Sequence, residues 1–216
     1  MVLFEGVWFD PFREDIDLSN LSDKAMYNKF KSDLMEVLIR LEDESLKAMC
    51  PYFSLSSSPK PVEIKFPPLC YLPGFNRNFI SLPFNISCFR GWNNCQDSLI
   101  EIGSSLAHES GHYLHCSINP EIYKMTKKKG VDEWYFVETV AELSALAFFD
   151  LTDRKLPKIM RNGEAHPLIQ SIYEFYHEKG IEYCLNFLGV LTKLSPEKIN
   201  LDLYKIKKRT REIESN

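Results

Sequence analysis

An apolar segment near the middle of the chain, residues 131–150, most limits what this chain can fold into. It mixes large apolar side chains with small ones that allow close packing, and its length and composition predict a helix that is buried over most of its surface. Two glutamates, Glu138 and Glu142, are embedded in it one helical turn apart. Because an unpaired buried carboxylate is costly, the fold must bring partners for both glutamates to this helix.

Partners of a suitable kind occur at His108 and His112, which belong to the pattern His-Glu-x-x-His. On a helix these two residues lie one turn apart and about 40° apart around the axis, so both imidazoles can point at one metal ion. Glu109 lies about 100° around the axis, beside such an ion, where its carboxylate can act on a metal-bound water. The spacing therefore predicts a metal site with a neighbouring general base.

The motif lies in a segment that is predicted to be helical from Gln96 to about Asn119, where Pro120 follows. The apolar residues of this segment fall on or near one stripe, so we expect the helix to be largely buried. In that low-dielectric setting, unpaired imidazoles and a carboxylate would be costly, and metal binding is one way to remove the cost. The alternative is a pair of histidines that ordinary hydrogen bonds satisfy in the core or at the surface.

The two segments together predict a complete zinc site. His108 and His112 would supply two nitrogen ligands and Glu138 an oxygen ligand, and water would fill an open fourth position, as in catalytic zinc sites. Glu142, one turn beyond Glu138, could accept the ring N–H of a ligating histidine. The structural alternative for the two glutamates is a charge pair on the helix surface.

The His-Glu-x-x-His motif, followed by Glu-x-x-Ala-Glu in the apolar helix, resembles the gluzincin group of zinc metallopeptidases. The resemblance covers about residues 60–150, and the compact layout is similar to the minigluzincins, some of which are held as inactive zymogens. The roles that the resemblance implies are those of zinc ligand for His108, His112 and Glu138, of general base for Glu109, and of supporting residue for Glu142.

The chemistry implied is hydrolysis of a peptide bond in a peptide or protein substrate. Zinc would lower the pKa of water from about 16 to about 7, and Glu109 would take its proton and later pass it to the leaving amine. One alternative is a zinc-binding, metalloprotease-like regulatory or binding protein with a latent or covered cleft. Another is a helical interaction protein in which the motif is accidental.

Further residues could belong to the same site. His115 lies seven residues after His108 and nearly on the same helical face. It could contact substrate or a second ion, although a hydrogen-bonded histidine at the rim of the site is the simpler expectation. A tyrosine or histidine from a downstream segment commonly stabilises the oxyanion in gluzincins. The candidates for that role are Tyr135, His166, Tyr173, Tyr176 and His177.

Residues 51–95 contain seven prolines, which exclude long helices there. Two strands are predicted in this region, at residues 62–66 and 78–85. Pro83 has no N–H, which indicates that the second strand lies at a sheet edge. That edge could hold an extended peptide by strand addition, as the edge strand does in the gluzincin group, or it could be only an edge blunted by proline.

These elements predict an α+β fold with a zincin-like core, in which a small sheet with an exposed edge strand packs on the His-Glu-x-x-His helix and the glutamate helix. We expect one domain over residues 1–216. An N-terminal arm and scaffold helix would occupy residues 1–59, the core residues 60–150, and a helical annex residues 151–216. The helices predicted outside the core span about residues 22–50, 166–178, 180–193 and 196–212.

Composition excludes some classes of function. The net charge of −4 and the pI near 5.8 argue against a nucleic-acid or anionic-membrane partner. No apolar run approaches the ~20 residues that cross a bilayer, and residues 1–9 lack the basic start of a secretory signal. The six cysteines form no Cys-x-x-Cys, so we expect free thiols in a reducing cytoplasm. Cys88 and Cys95 are the pair best placed for a disulfide in an oxidising compartment.

Overall fold

The computed structural model describes residues 24–66, 74–82, 95–125, 131–154, 166–195, 198 and 201–215. This part of the chain is mostly helical and carries one small mixed sheet, so the predicted α+β class is confirmed. The helices are α1 (Lys24–Met49), α2 (Cys95–Ile118), α3 (Pro120–Met125), α4 (Val131–Leu151), α5 (Pro167–Lys179), α6 (Ile181–Leu191) and α7 (Leu201–Glu214). The strands are β1 (Glu63–Lys65), β2 (Gly74–Asn76) and β3 (Phe79–Ser81).

Helix α4 lies at the centre of the described fold, as its apolar sequence predicts. Every side chain from Tyr135 to Phe149 is buried except that of Glu138, which is partly buried. Helices α1, α2, α5 and α6 all pack against α4, and α2 makes the most extensive contact. Because burial of apolar surface is the dominant favourable term in folding, this helix is the main element around which the core forms.

Helices α2 and α4 approach each other closely at Gly111. A Cβ atom placed on Gly111 would lie 2.9 Å from Cα of Ala141 and 3.0 Å from Cβ of Ser144. A glycine inside a helix costs about 1 kcal/mol relative to alanine, and here the cost has a packing reason. Only a residue without a side chain lets the two backbones come this close, so Gly111 sets the spacing of the helices beside the His-Glu-x-x-His motif.

The three strands form one sheet in the order β1-β3-β2. β1 pairs parallel with β3, and β2 pairs antiparallel with β3. The prediction that the strand in residues 78–85 lies at the sheet edge is therefore wrong, because β3 is paired on both sides. Pro83, on which that prediction rested, follows the paired residues in sequence and lies outside the described part of the chain. The outer strands of the described sheet are β1 and β2, and β2 was not predicted.

The sheet packs on α2 through β2 and β3, and on α1 through β1. The rings of Phe75 and Tyr113 pack with centroids 5.9 Å apart. The Tyr113 hydroxyl donates to the carbonyl of Lys60 at 3.0 Å, and the Val62 N–H donates to Oε1 of Glu42 at 2.9 Å. These contacts hold the chain that leads into β1 against both helices.

The helices predicted outside the core correspond to α1, α5, α6 and α7, the last of which is described from Leu201 onward. Helix α5 begins after His166, whose Nδ1 accepts the N–H of Leu168 as an N-cap. It ends at Gly180, where φ is 79°, a conformation that glycine adopts without strain. A histidine N-cap and a glycine C-cap therefore mark the two ends of α5.

Some predictions fall on residues outside the described part of the chain. The predicted N-terminal arm falls within residues 1–23, which are outside the described part. Cys88, one member of the suggested disulfide pair, is also outside the described part. Among the described residues, Cys50, Cys116 and Cys184 are buried free thiols. Across the described ranges, we find no helix with the length and apolar content needed to cross a membrane.

Candidate metal centre

The candidate metal centre forms where α2 faces α4. His108 and His112 lie one turn apart on α2, and Glu138 lies on α4. The Nε2 atoms of the two histidines are 3.1 Å apart. Oxygens of the Glu138 carboxylate lie 3.2 Å from Nε2 of His108 and 3.5 Å from Nε2 of His112. These three side chains could hold a metal ion between them.

Helical spacing and one close contact between α2 and α4 explain why the three side chains converge. The spacing of four residues puts both imidazoles on one face of α2. Glu138 and Ala141 are three residues apart and share a face of α4. Because Ala141 touches Gly111 of α2, the close approach of the two backbones brings Glu138 within reach of both histidines.

Glu142 contacts the same group from the other side of the His108 ring, which is the contact predicted from the sequence. Its Oε2 lies 2.7 Å from Nδ1 of His108. Because a carboxylate only accepts hydrogen bonds, the Nδ1–H donates to Glu142, and this bond orients the ring so that Nε2 faces His112 and Glu138. The side chain of Glu142 is almost fully buried, so the bond is shielded from water.

The electrostatics of the group reflect these contacts. Burial opposes the charged form of His108, but hydrogen bonds to the carboxylates of Glu138 and Glu142 outweigh it and hold its pKa well above the ordinary value. For Glu138, burial favours the neutral carboxyl, yet hydrogen bonds from His108 and His112 hold its pKa far below the ordinary value. These interactions favour the charged forms of both partners, the imidazolium of His108 and the carboxylate of Glu138.

Glu109 follows His108 directly and lies outside the set of three possible ligands. It is 4% exposed, and its Oε2 has no hydrogen-bond partner among the described residues. Burial raises the pKa of Glu109, while the nearby charges of His108 and His112 act in the opposite direction. A buried carboxylate oxygen without a partner is unfavourable in a folded protein.

A small cavity of about 70 Å³ adjoins the centre. One wall consists of His108, Glu138 and Glu142, and Trp134 of α4 contributes to the rest of the lining. The remaining residues come from the start of α5, and they are His166, Leu168, Ile169 and Ile172.

Of the five candidates for an oxyanion donor, His166 is the one that lines this cavity. The hydroxyl of Tyr176 donates to a carboxylate at the end of α4 at 2.5 Å. The rings of Tyr173 and His177 pack together with centroids 4.3 Å apart, and Tyr135 is buried. The structure thus brings one of the five candidates to the wall of the cavity beside the candidate metal-binding group.

The expectation that His115 lies at the rim of the site is wrong. It is completely buried, and its ring packs on Phe136 of α4 with centroids 5.5 Å apart. Burial, aided by the nearby His112, lowers the pKa of His115 to about 3, so the ring is neutral. The helical spacing does put His115 close to the face that carries the motif, but α4 covers α2 at that level.

Gly111 and Trp134 contribute to the site, although no role was predicted for either from the sequence. Gly111 occupies a variable position of the motif, and the signal was a glycine inside a long helix, where it needs a packing reason. Trp134 lies one turn before Glu138, and the spacing of four residues on a helix places both on the same face. Neither pattern predicts which residues Gly111 or Trp134 contacts in the folded protein.

Comparison of the chain with protein-family models, with curated proteins and with solved structures gives no match. Three potential ligands meet within reach of one ion, and the first of them is followed in sequence by a buried glutamate, one oxygen of which has no hydrogen-bond partner in the described part of the chain.

Proposed function

We propose that this protein is a zinc-dependent metallopeptidase that hydrolyses peptide bonds. The observation that carries the proposal is the convergence of His108, His112 and Glu138, together with the buried Glu109 that directly follows His108 and whose Oε2 has no hydrogen-bond partner among the described residues. Two imidazoles, one carboxylate and a separate carboxylic base are the set of groups that a hydrolytic zinc centre needs.

The spacing of the three ligand atoms supports zinc as the ion. Zinc binds imidazole nitrogen and carboxylate oxygen at about 2.0–2.2 Å in tetrahedral sites, which separates neighbouring ligand atoms by about 3.3–3.6 Å. The observed separations are 3.1 Å, 3.2 Å and 3.5 Å. Three protein ligands leave one tetrahedral position for water or substrate, as in catalytic zinc centres.

The proposal assigns a task to each of three residues at the centre. Glu142 holds the Nδ1–H of His108 and so keeps Nε2 directed at the ion. Glu109 takes a proton from the attacking water and delivers it to the leaving amine. His166, at the cavity wall, is the candidate donor to the oxyanion. Zinc, when bound, would supply Lewis acidity that makes water acidic near neutral pH and polarises the substrate carbonyl.

The same proposal includes a zincin-like core of the gluzincin type. Supporting it are the His-Glu-x-x-His motif on α2, the glutamate ligand and its neighbour one turn later on α4, and a small sheet packed on α2. The edge of that sheet available for an extended peptide would be β1 or β2 rather than the central β3.

One observation favours a second candidate, a zinc-binding regulatory or binding protein with a covered cleft. The side chains of His108 and His112 are only 16% and 9% exposed, and the adjoining cavity is small. A centre of this kind would bind zinc with the same ligands but would cleave no peptide in a broad pool.

The test combines metal analysis with a peptide-cleavage assay on the purified protein. We expect about one zinc per chain and cleavage of a mixed peptide pool. Glu109→Gln should retain zinc and lose turnover by at least about 100-fold, as expected for a general base. Glu138→Ala should lose stoichiometric zinc, whereas Glu133→Gln, on the same helix outside the centre, should behave as the parent. Equal turnover in Glu109→Gln would overturn the proposed mechanism.

A further inference from the structure

The cavity beside the metal centre has a size that limits what can enter it. Its volume is about 70 Å³. A molecule in liquid water occupies about 30 Å³, and an apolar cavity of about 150 Å³ accepts benzene. The cavity is therefore large enough for a small aliphatic group and too small for an aromatic ring.

Opposite the wall of His108, Glu138 and Glu142, the cavity has an apolar side, and part of that side belongs to the packed core. Leu168 and Ile172 are 2% and 0% exposed, so their wall cannot retreat without disturbing the packed core. Trp134 and His166 pack edge to face with ring centroids 5.9 Å apart. The ring of His166 is further held by the hydrogen bond that its Nδ1 accepts from the N–H of Leu168. Ile169 completes the apolar surface.

The position of the cavity determines which part of a substrate could reach it. His108 and Glu138 belong both to the metal centre and to the cavity wall. Successive residues of an extended peptide are at most about 3.3–3.6 Å apart. A side chain that enters a cavity walled by the metal ligands must therefore belong to a residue that flanks the bond being cleaved.

We infer that this cavity is a specificity pocket, which takes a small aliphatic side chain such as that of alanine or valine from a substrate residue next to the scissile bond. The inference rests on the proposed function and adds a substrate class to it. Pockets of this kind discriminate by about 10–200-fold for a single methylene group. We expect kcat/KM to be at least about tenfold higher for alanine than for phenylalanine at this substrate position.

The first experiment maps cleavage sites of the zinc-loaded protein in a peptide library by mass spectrometry. Ile169→Ala should enlarge the pocket, and its half-buried position makes the change easier to tolerate than one at Ile172. We expect the ratio of kcat/KM for leucine or phenylalanine to that for alanine to rise at least about tenfold. Ile181→Ala removes a partly buried isoleucine on α6 that does not line the cavity, and it should keep the parent preference.

A second experiment needs no turnover. In zinc-free Glu109→Gln protein, short N-acetyl peptide amides can be titrated while the indole N–H resonance of Trp134 is followed by NMR. Comparison with Trp134→Phe assigns the resonance. Peptides with alanine or valine should shift it, and matched peptides with phenylalanine should not.

The outcomes separate this inference from the function on which it rests. Cleavage without a side-chain preference next to the cut bond, or an unchanged preference in folded Ile169→Ala, would overturn the inference alone. Equal shifts of the Trp134 resonance with alanine and phenylalanine peptides would do the same. Absence of cleavage by the zinc-loaded protein would overturn the proposed function, and the inference with it.

Discussion

The Nδ1 atom of His108 lies 2.7 Å from Oε2 of Glu142, although the two residues are 34 positions apart and on different helices. The bond decides which nitrogen of the ring faces Glu138 and His112. It also places the buried carboxylate of Glu142 against His108, which is a metal ligand in the proposed function. Two predictions follow from this centre, a third from the packing of α2 on α4, and a fourth from the buried Glu42 on α1.

Removal of Glu142 should weaken metal binding without removing a ligand. Loss of a carboxylate that orients a metal-bound histidine typically lowers affinity by about 10–100-fold. We expect this loss in Glu142→Ala and a smaller one in Glu142→Gln, because the amide oxygen can still accept the Nδ1–H. Competition with a chromophoric chelator measures the affinity. Glu133→Gln removes the same charge from the same helix and serves as the control. Parent-like affinity in Glu142→Ala would contradict the assigned role.

Metal binding should release about one proton from His108. The carboxylates of Glu138 and Glu142 overcome the effect of burial and raise the pKa of His108, so its ring carries a proton near neutral pH in the metal-free protein. A ligating imidazole must be neutral. Zinc affinity should therefore fall as pH falls, by about tenfold per pH unit below that pKa. Calorimetric titrations in buffers of different ionisation enthalpy count the protons. A count of zero at neutral pH would show that His108 is already neutral in the metal-free protein.

Gly111→Ala should destabilise the fold and disturb the centre. The new Cβ would lie 2.9 Å from the backbone of Ala141, and relief of this contact requires α4 to move away from α2. Overpacking of this kind costs about 1–3 kcal/mol, and the movement should also weaken zinc binding because it withdraws Glu138. Chemical denaturation and metal titration measure the two effects.

The matched control for that substitution is Gly189→Ala on α6. A Cβ at Gly189 would meet the carbonyl of Tyr52 at 3.6 Å, an ordinary contact. Since alanine is favoured over glycine in helices by about 1 kcal/mol, this variant should be as stable as the parent or slightly more stable. Equal effects of the two substitutions would show that the close approach at Gly111 is not what makes it intolerant.

Glu42→Gln should change how stability depends on pH. Burial raises the pKa of Glu42 from 4.5 to about 7, despite the hydrogen bond from the Val62 N–H that favours its charged form. The folded protein therefore binds more protons than the unfolded one between pH 4.5 and 7. The stabilisation from neutral Glu42 is full below pH 4.5 and is lost as pH rises through about 7.

Glutamine keeps the acceptor for the Val62 N–H but cannot ionise. The unfolding free energy of Glu42→Gln should thus gain about 2–3 kcal/mol relative to the parent between pH 4.5 and pH 8. Urea denaturation at several pH values measures the difference, and Glu36→Gln, an exposed position on the same helix, controls for the loss of charge. A difference between variant and parent that does not change with pH would contradict a raised pKa for Glu42.

Much of this fold is encoded in local patterns that can be read from the sequence alone. The apolar content of residues 131–150 predicted a buried helix, and the positions of His108 and His112 predicted that both face one side of α2. These predictions depend on helical periodicity, which is a property of neighbouring residues. The contact of Glu142 with a histidine was also predictable, because a buried carboxylate needs a partner and few cations lie in the core.

The tertiary structure decided what depends on residues far apart in the chain. In strands of three residues, the alternation of apolar and polar side chains is too short to show which strand is central. Only the pairing of β3 with both β1 and β2 shows that β3 is not an edge strand. The burial of His115 depends on α4 covering α2 at that level. The approach of Gly111 to Ala141, and the cavity that Trp134 and α5 form beside the centre, likewise arise only when separate helices pack together, because packing joins surfaces that no local pattern connects.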